Sequence, residues 1–69
     1  MKNRLADLRT AKGWTQQQLA DLVGVSRQTV ISLERGRYNP SITLAFRLAR
    51  TFDLQIEKVF LYEEEDDEQ

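Results

Sequence analysis

The sequence predicts an all-α domain of five short helices, two of which form a helix-turn-helix unit. Apolar residues recur at helical spacing in five successive segments of the 69-residue chain. Glycines at positions 13, 24 and 36 separate the first four segments, and a glycine in the left-handed conformation commonly ends a helix. Residues 16–35 therefore predict two helices joined by a tight turn. We expect one domain at residues 1–62, followed by an acidic, disordered tail at residues 63–69.

The first helix is predicted at residues 3–12, where Leu5 and Leu8 lie three positions apart on one face. Gly13 is the expected C-terminal cap. Arg9 directly follows Leu8, so it is expected at the margin of the buried face. From the spacing alone, a solvated arginine is the alternative.

The second helix has a well-defined start. Thr15 and Gln18 have the spacing of a capping box, and Trp14 and Leu19 that of a hydrophobic staple. The staple explains Trp14 as an anchor at the edge of the core, with base stacking as the alternative. The apolar face of this helix comprises Leu19, Ala20 and Val23.

The third helix begins near Ser26, which is a good N-cap residue. Gly24 makes the preceding turn, and Val25 has its staple partner in Val30. Because Val30 and Leu33 face inward, the polar residues of the N-terminal half face outward: Arg27, Gln28 and Ser32.

These outward side chains can read DNA. Arginine bonds both acceptors of guanine, glutamine bonds adenine at N6 and N7, and serine is adaptable. An ordinary solvated helix face is the alternative. Ile31 is an apolar exception that either packs under the following loop or touches a thymine methyl group.

The fourth helix is predicted from Pro40 and Ser41 to about Phe52. It carries a broad apolar face of Ile42, Ala45, Leu48, Ala49 and Phe52, widened by Leu44 and Phe46, so it is expected to be largely buried. The last helix is predicted at about residues 55–61 and closes the core with Ile56, Val59 and Phe60. Its first residue, Gln55, is a poor cap.

The segment of residues 16–35 resembles the helix-turn-helix of the Cro/C1 family of bacterial and phage regulators, also called the XRE family. The motif's apolar and glycine positions are occupied by Leu19, Ala20, Val23, Gly24, Val25, Val30 and Leu33, and the similarity extends from about residue 3 to residue 62. Asp53 departs from the family, which usually has a glycine there. The resemblance implies a lambda-repressor-like fold and a sequence-specific DNA-binding regulator, and the expected role is that of a repressor.

The resemblance also implies a binding site on double-stranded DNA. The residues expected at the DNA backbone are Thr15, Gln16, Gln17, Ser26, Thr29, Arg35, Arg37, Tyr38 and Asn39. For Tyr38, packing over the next helix is the alternative. In the family, the position of Arg9 commonly pairs with a glutamate late in the recognition helix, which here is Glu34. A protein-interaction module, such as an antitoxin-like partner, is the alternative function.

Composition argues against other classes of protein. The chain has no cysteine and no histidine, so disulfides are impossible and a zinc site would have to rely on carboxylates alone. We expect no metal site and no cofactor. No phosphate-binding glycine motif and no nucleophilic or acid-base constellation occurs, so we do not expect an enzyme. No apolar run is long enough to span a membrane, and the N-terminus has no signal-peptide core. The expected location is the cytoplasm.

The net charge of −1 conceals a basic folded part. Six of the eleven acidic residues lie at positions 63–68, so residues 1–62 carry ten Lys and Arg against five acids, a formal charge of +5. A basic module suits phosphates, although a solvated surface of mixed charge is the alternative. The acidic tail is expected to solubilise the protein, with DNA mimicry as the alternative.

One recognition helix covers too few base pairs to select a genomic site, so a homodimer on a near-palindromic operator is expected. A small core cannot bury three consecutive apolar residues at positions 60–62. We therefore expect Leu61 and Tyr62, with a contribution from Leu54, to form the dimer interface. Simple exposure of Tyr62 is the alternative.

Overall fold

The computed structural model describes residues 1–37 and 39–62, and it has five helices and one small sheet. The elements in chain order are β1 (Lys2–Asn3), α1 (Leu5–Ala11), α2 (Gln16–Val23), α3 (Arg27–Glu34), α4 (Ile42–Thr51), α5 (Ile56–Val59) and β2 (Phe60–Leu61). The prediction of five helices is confirmed. The acidic tail and Tyr38 lie outside the described residues. No helix within the described ranges is long and apolar enough to cross a bilayer.

Local chemistry sets the boundaries of α2 and α3. The side chain of Thr15 accepts a hydrogen bond from the Gln18 N–H, and the Gln18 side chain accepts one from the Thr15 N–H, so the capping box is confirmed. Gly24 ends α2 in the left-handed conformation, with φ of 77°. Ser26 then caps α3 by accepting from the Thr29 N–H at 3.1 Å. The turn between the two helices is therefore held by caps at both of its ends.

All five helices contribute to one core. Its buried members are Leu5, Leu19, Ala20, Val23, Val30, Leu33, Ala45, Leu48, Ala49, Phe52, Val59 and Phe60. Trp14 is partly buried against this cluster, and its ring lies 5.6 Å from that of Phe52. The helix-turn-helix thus rests on α4, and Trp14 covers one edge of the core, as the staple predicts.

The first and last helices are shorter than predicted. Asn3 belongs to β1 and pairs with Phe60 of β2, while Lys2 pairs with Leu61, in an antiparallel register. Side chains alternate across a strand, which explains why Phe60 is buried and Leu61 is exposed. The prediction of helix at residues 60–61 is therefore wrong, because the main chain after Val59 pairs with β1 and so cannot continue the helix.

The buried face of α4 is narrower than predicted. Ile42 is 71% exposed and Phe46 is also exposed, although their spacing predicts that both are buried. They lie four positions apart on one flank of the helix, so both miss the core that Ala45, Leu48 and Phe52 enter. As predicted, Gln55 makes no side-chain capping bond at the start of α5.

The N-terminal segment holds the C-terminal end of α3. The Asn3 side-chain amide donates to the Leu33 carbonyl at 2.7 Å, and the Met1 amino group donates to the Gly36 carbonyl at 3.0 Å. Gly36 has φ of 70°, and a Cβ atom there would lie 2.9 Å from the Met1 carbonyl oxygen. A glycine is therefore needed at this position for two reasons: its backbone conformation and the close approach of Met1.

Candidate nucleic-acid interface

The solvent face of α3 carries the predicted base-reading residues. Arg27 and Gln28 lie exposed in its first turn, and Ser32 is half-buried further along. Val30 and Leu33, on the opposite face, are buried, which fixes the rotation of the helix. Ile31 is half-buried. The first turn of α3 thus presents one guanidinium and one amide group to solvent.

The start of α2 lies beside the start of α3. A shallow depression between them is lined by Arg9, Thr15, Gln16, Gln17 and Arg27. The first N–H groups of a helix have no intrahelical partners and favour an anion. The depression therefore combines the guanidinium group of Arg27 with two amide side chains and a helix N-terminus, which suits a phosphate group.

Several polar side chains of this surface are already oriented by hydrogen bonds. The Gln17 amide donates to Asp21 at 2.9 Å, and the hydroxyl groups of Ser26 and Thr29 lie 2.9 Å apart. Thr15 uses its hydroxyl oxygen as a cap acceptor, which leaves the hydroxyl proton available for another acceptor. Capping thus places Thr15 and Ser26 at the two helix starts, where both are exposed.

Glu34 joins three helices. Its carboxylate accepts from Arg9 Nε at 2.6 Å and from Arg9 Nη2 at 3.3 Å, and Gln16 Nε2 donates to it at 3.1 Å. Arg9 Nη1 also donates to the Trp14 carbonyl at 2.8 Å. The side chains of Arg9 and Glu34 are 18% and 7% exposed. The structure therefore brings together the two residues proposed as a pair, and adds Gln16, whose part in this network the sequence did not reveal.

We predict that Arg9 and Glu34 are energetically coupled. A double-mutant cycle with Arg9→Ala and Glu34→Ala, measured by urea unfolding, should give a coupling energy of about 0.5–3 kcal/mol, as for other residues in contact. Asp7 and Lys12 make no ion pair with each other and serve as the control, which should be additive within about 0.5 kcal/mol. Additivity at Arg9 and Glu34 would contradict the prediction.

The segment after α3 carries more cations. Arg35, Arg37 and Asn39 are all exposed. Neither guanidinium group forms an ion pair or a side-chain hydrogen bond within residues 1–37 and 39–62. Tyr38, also expected at the DNA backbone, lies outside the described residues. The two arginines therefore carry charges that no described acidic residue neutralises.

The apolar residues predicted for the dimer interface lie at the surface. Leu54 is exposed, and Leu61 and Tyr62 are 42% and 60% exposed. Tyr62 also borders an apolar groove that Met1, Pro40 and Ile42 help to line. Ile42 thus extends the exposed apolar surface, which the sequence missed because its helical spacing placed it on the buried face.

Two supporting residues were missed for a different reason. The side chain of Asn3 accepts from the Leu5 N–H and donates to the end of α3, and Arg47 Nη1 donates to the Val23 carbonyl at 3.4 Å, near the turn. Of these two residues, only Asn3 has a signal in the sequence, because an asparagine just before an apolar run can cap a helix. The contact of Arg47 has no such signal.

Among the described residues, no cluster of three metal-ligating side chains occurs.

The chain is similar to known proteins along almost its whole length. The chain is 47% identical over 66 residues to an uncharacterized HTH-type transcriptional regulator of Methanocaldococcus jannaschii. The alignment covers 96% of this chain and all of that protein. The similarity therefore extends along both chains and is not confined to the motif.

Solved structures agree with the sequence comparison. The restriction-modification controller protein C.AhdI from Aeromonas hydrophila matches with a TM-score of 0.75 at 42% identity, over 83% of this chain and 86% of that one. SinR of Bacillus subtilis, a master regulator for biofilm formation, was solved in complex with DNA and matches with a TM-score of 0.71 at 29% identity, over 78% and 87% of the two chains. A family model described as helix-turn-helix matches residues 5–59. The chain belongs to this family, HTH_3 of the XRE type, and is a DNA-binding transcriptional regulator.

Proposed function

We infer that this regulator is a repressor that recognises a near-palindromic operator as a homodimer in the cytoplasm. In this proposal α3 enters the major groove, where Arg27, Gln28 and Ser32 contact base edges. The start of α2 and the segment after α3 contact the DNA backbone on either side. Repression requires only that the bound protein occupy the duplex. We propose no catalytic activity.

One observation carries the proposal. Arg27 and Gln28 are exposed beside the depression that Arg9 and Gln16 line, so base-reading and phosphate-binding groups share one surface. A helix that crosses the backbone and a helix that lies in the groove need this arrangement. The recognition helix is anchored from behind by Val30 and Leu33, so binding requires little ordering of the backbone.

The same surface favours nucleic acid over a protein partner. The first turn of α3 exposes a guanidinium and an amide, whereas the centre of a protein interface is depleted in charged residues. The exposed apolar side chains of Leu61 and Tyr62 belong to a different part of the chain, at and after β2. This separation supports a polar face for DNA and an apolar face for a second copy.

The proposal is tested by selecting bound sites from a random pool of DNA duplexes with the wild type and with Arg27→Ala and Gln28→Ala. Each substitution should cost about 1–3 kcal/mol on the selected site and should reduce base preference at one or two positions. The loss arises because a bidentate contact to a base edge distinguishes that base from the others.

Arg37→Ala is the matched control. As a backbone contact, Arg37 should contribute similarly to every sequence, so its removal should weaken all sites alike and reduce the slope of log affinity against log salt by about 1. Unchanged site preference in both Arg27→Ala and Gln28→Ala would show that α3 is not the reading helix.

A further inference from the structure

We propose that Ile31 is a base-reading residue of α3, and that its side chain contacts the C5-methyl group of a thymine in the operator. The proposal rests on the proposed function, in which α3 lies in the major groove. It adds an apolar contact to the polar contacts of Arg27, Gln28 and Ser32. Each half-site is then expected to contain a thymine whose methyl group, rather than its hydrogen-bonding groups, is recognised.

The direction of the Ile31 side chain follows from the buried face of α3. Val30 and Leu33 are each 1% exposed, so the midpoint between them points into the core. Successive residues of an α-helix are rotated by about 100°, which places Ile31 about 130° from that midpoint. Ile31 therefore points away from the core, although it is apolar.

Ile31 shares this outward side with the two base-reading residues of the first turn, Arg27 and Gln28, which are exposed. It follows Arg27 by four positions and Gln28 by three, and residues at these spacings are neighbours on the surface of a helix. Around the helix it lies about 40° from Arg27 and about 60° from Gln28, and it is about 6 Å further along the axis than Arg27. Its methyl groups therefore adjoin the guanidinium and amide groups that the proposed complex directs at the bases.

The packing of Ile31 leaves its side chain available to a ligand. The partly buried apolar side chains that pack against the core within residues 1–37 and 39–62 are Met1, Leu8, Trp14, Val25, Leu44 and Ile56. Ile31, which is half-buried, is absent from this group of described residues. Because isoleucine is β-branched, its χ1 angle is nearly fixed in a helix, so a contact to a ligand costs it little conformational freedom.

A thymine methyl group is the part of a base edge that fits this side chain. Ile31 has no side-chain donor or acceptor, and among the four unmodified bases only thymine presents a methyl group in the major groove. Contact removes both apolar groups from water, and burial of one methyl group is worth about fourfold in affinity. A step of about 6 Å along the helix corresponds to about two base pairs, so the thymine should lie within that distance of the base that Arg27 contacts.

Uracil lacks only the methyl group of thymine, so it tests the contact directly. The selected operator is synthesised with uracil in place of each thymine in turn. At one position the wild type should bind about fourfold more weakly for each substituted half-site. Ile31→Ala should bind the thymine and uracil duplexes equally at that position. If uracil affected the wild type and Ile31→Ala alike at every position, the proposal would be overturned.

Leu22→Ala is the matched control for loss of an exposed apolar side chain. Leu22 is 56% exposed on α2, where it lines a separate depression with Trp14 and Asp21. This variant should discriminate thymine from uracil as the wild type does. Ile31→Val keeps two methyl groups on Cβ and should retain most of the discrimination that Ile31→Ala loses. Loss of discrimination in Leu22→Ala would overturn the assignment to Ile31.

Two further measurements separate a base contact from a phosphate contact and from a structural role. A methyl contact displaces no counterion, so Ile31→Ala should leave the slope of log affinity against log salt unchanged, whereas Arg37→Ala should reduce it. In urea unfolding, Ile31→Ala should lose much less stability than the truncation of a core leucine, because Ile31 lies outside the core and alanine favours the helix. A reduced salt slope, or a loss of stability as large as that of a core leucine, would overturn the proposal.

The site selection with Arg27→Ala and Gln28→Ala distinguishes failure of this inference from failure of the proposed function. If neither substitution changes site preference, α3 is not the reading helix, and the proposed function and this inference fail together. If either substitution changes site preference while uracil has no effect on the wild type, α3 reads the operator and only the role of Ile31 is overturned.

Discussion

Leu48→Ala is expected to remove about 2–5 kcal/mol from the free energy of unfolding. Leu48 is fully buried in α4, at the centre of the core that supports the helix-turn-helix. Its truncation loses apolar contacts and leaves a cavity that the surrounding helices fill only in part. Stabilities of about 0.05–0.15 kcal/mol per residue give a domain of this size roughly 3–10 kcal/mol in total. The substitution should therefore leave a substantial unfolded population near 37 °C.

Thr43→Ala is the matched control on the same helix. Thr43 is exposed and lies outside the proposed interface, and alanine has the higher helix propensity, so the free energy of unfolding of this variant should change by less than about 0.5 kcal/mol. Urea unfolding followed by circular dichroism gives both values, and the fluorescence of Trp14, which contacts Phe52, provides a second probe. Equal losses in the two variants would mean that α4 is not buried by the face described above.

The helix-turn-helix could be predicted from sequence because its signals are local. The capping box of Thr15 and Gln18, the cap at Ser26 and the glycine at position 24 each act within about four residues. The positive φ of Asp53, 55°, agrees with the glycine that the family usually has there. Such features depend only on neighbouring residues in the chain, so they can be recognised without knowledge of the tertiary fold.

The sheet could not be predicted, because its two strands are two residues long and lie at opposite ends of the described chain. Two residues show no alternation that would distinguish a strand, and pairing over such a separation depends on the tertiary fold. The exposure of Ile42 and Phe46 was missed because apolar spacing defines a face but not its width. Sequence spacing alone thus predicted a helix with too wide a buried face.

The candidate site was predictable in its residue types but not in its connections. The outward position of Arg27 follows from the inward position of Val30, which is a local argument. The hydrogen bond from Gln16 to Glu34 depends on how α2 packs on α3. No short-range sequence pattern predicts this hydrogen bond. The structure consequently presents Gln16 with one amide hydrogen already engaged and the other available for a phosphate.

Loss of the homodimer is expected to have the largest effect on DNA binding. In the proposed complex, one α3 helix reads only a few base pairs, and the α3 helix of a second copy, about 34 Å away in the next major groove, supplies the rest of the specificity. We propose Leu54, Leu61 and Tyr62 as the interface. The exposed side chains of Leu61 and Tyr62, together with the neighbouring groove and Ile42, provide an apolar surface that is suited to a self-complementary contact.

Sedimentation of the wild type and of Leu61→Asp with Tyr62→Ser, with and without a palindromic duplex, tests this interface. The wild type should bind as a dimer, and the double variant should be monomeric and bind the full operator at least a hundredfold more weakly, because its two half-sites are no longer occupied together. Leu22→Asp is the control, since Leu22 is an exposed leucine of α2 outside the proposed interface, and it should remain dimeric. A wild type that stays monomeric on the palindrome would refute the dimer, whereas a double variant that still dimerises would place the interface on another surface.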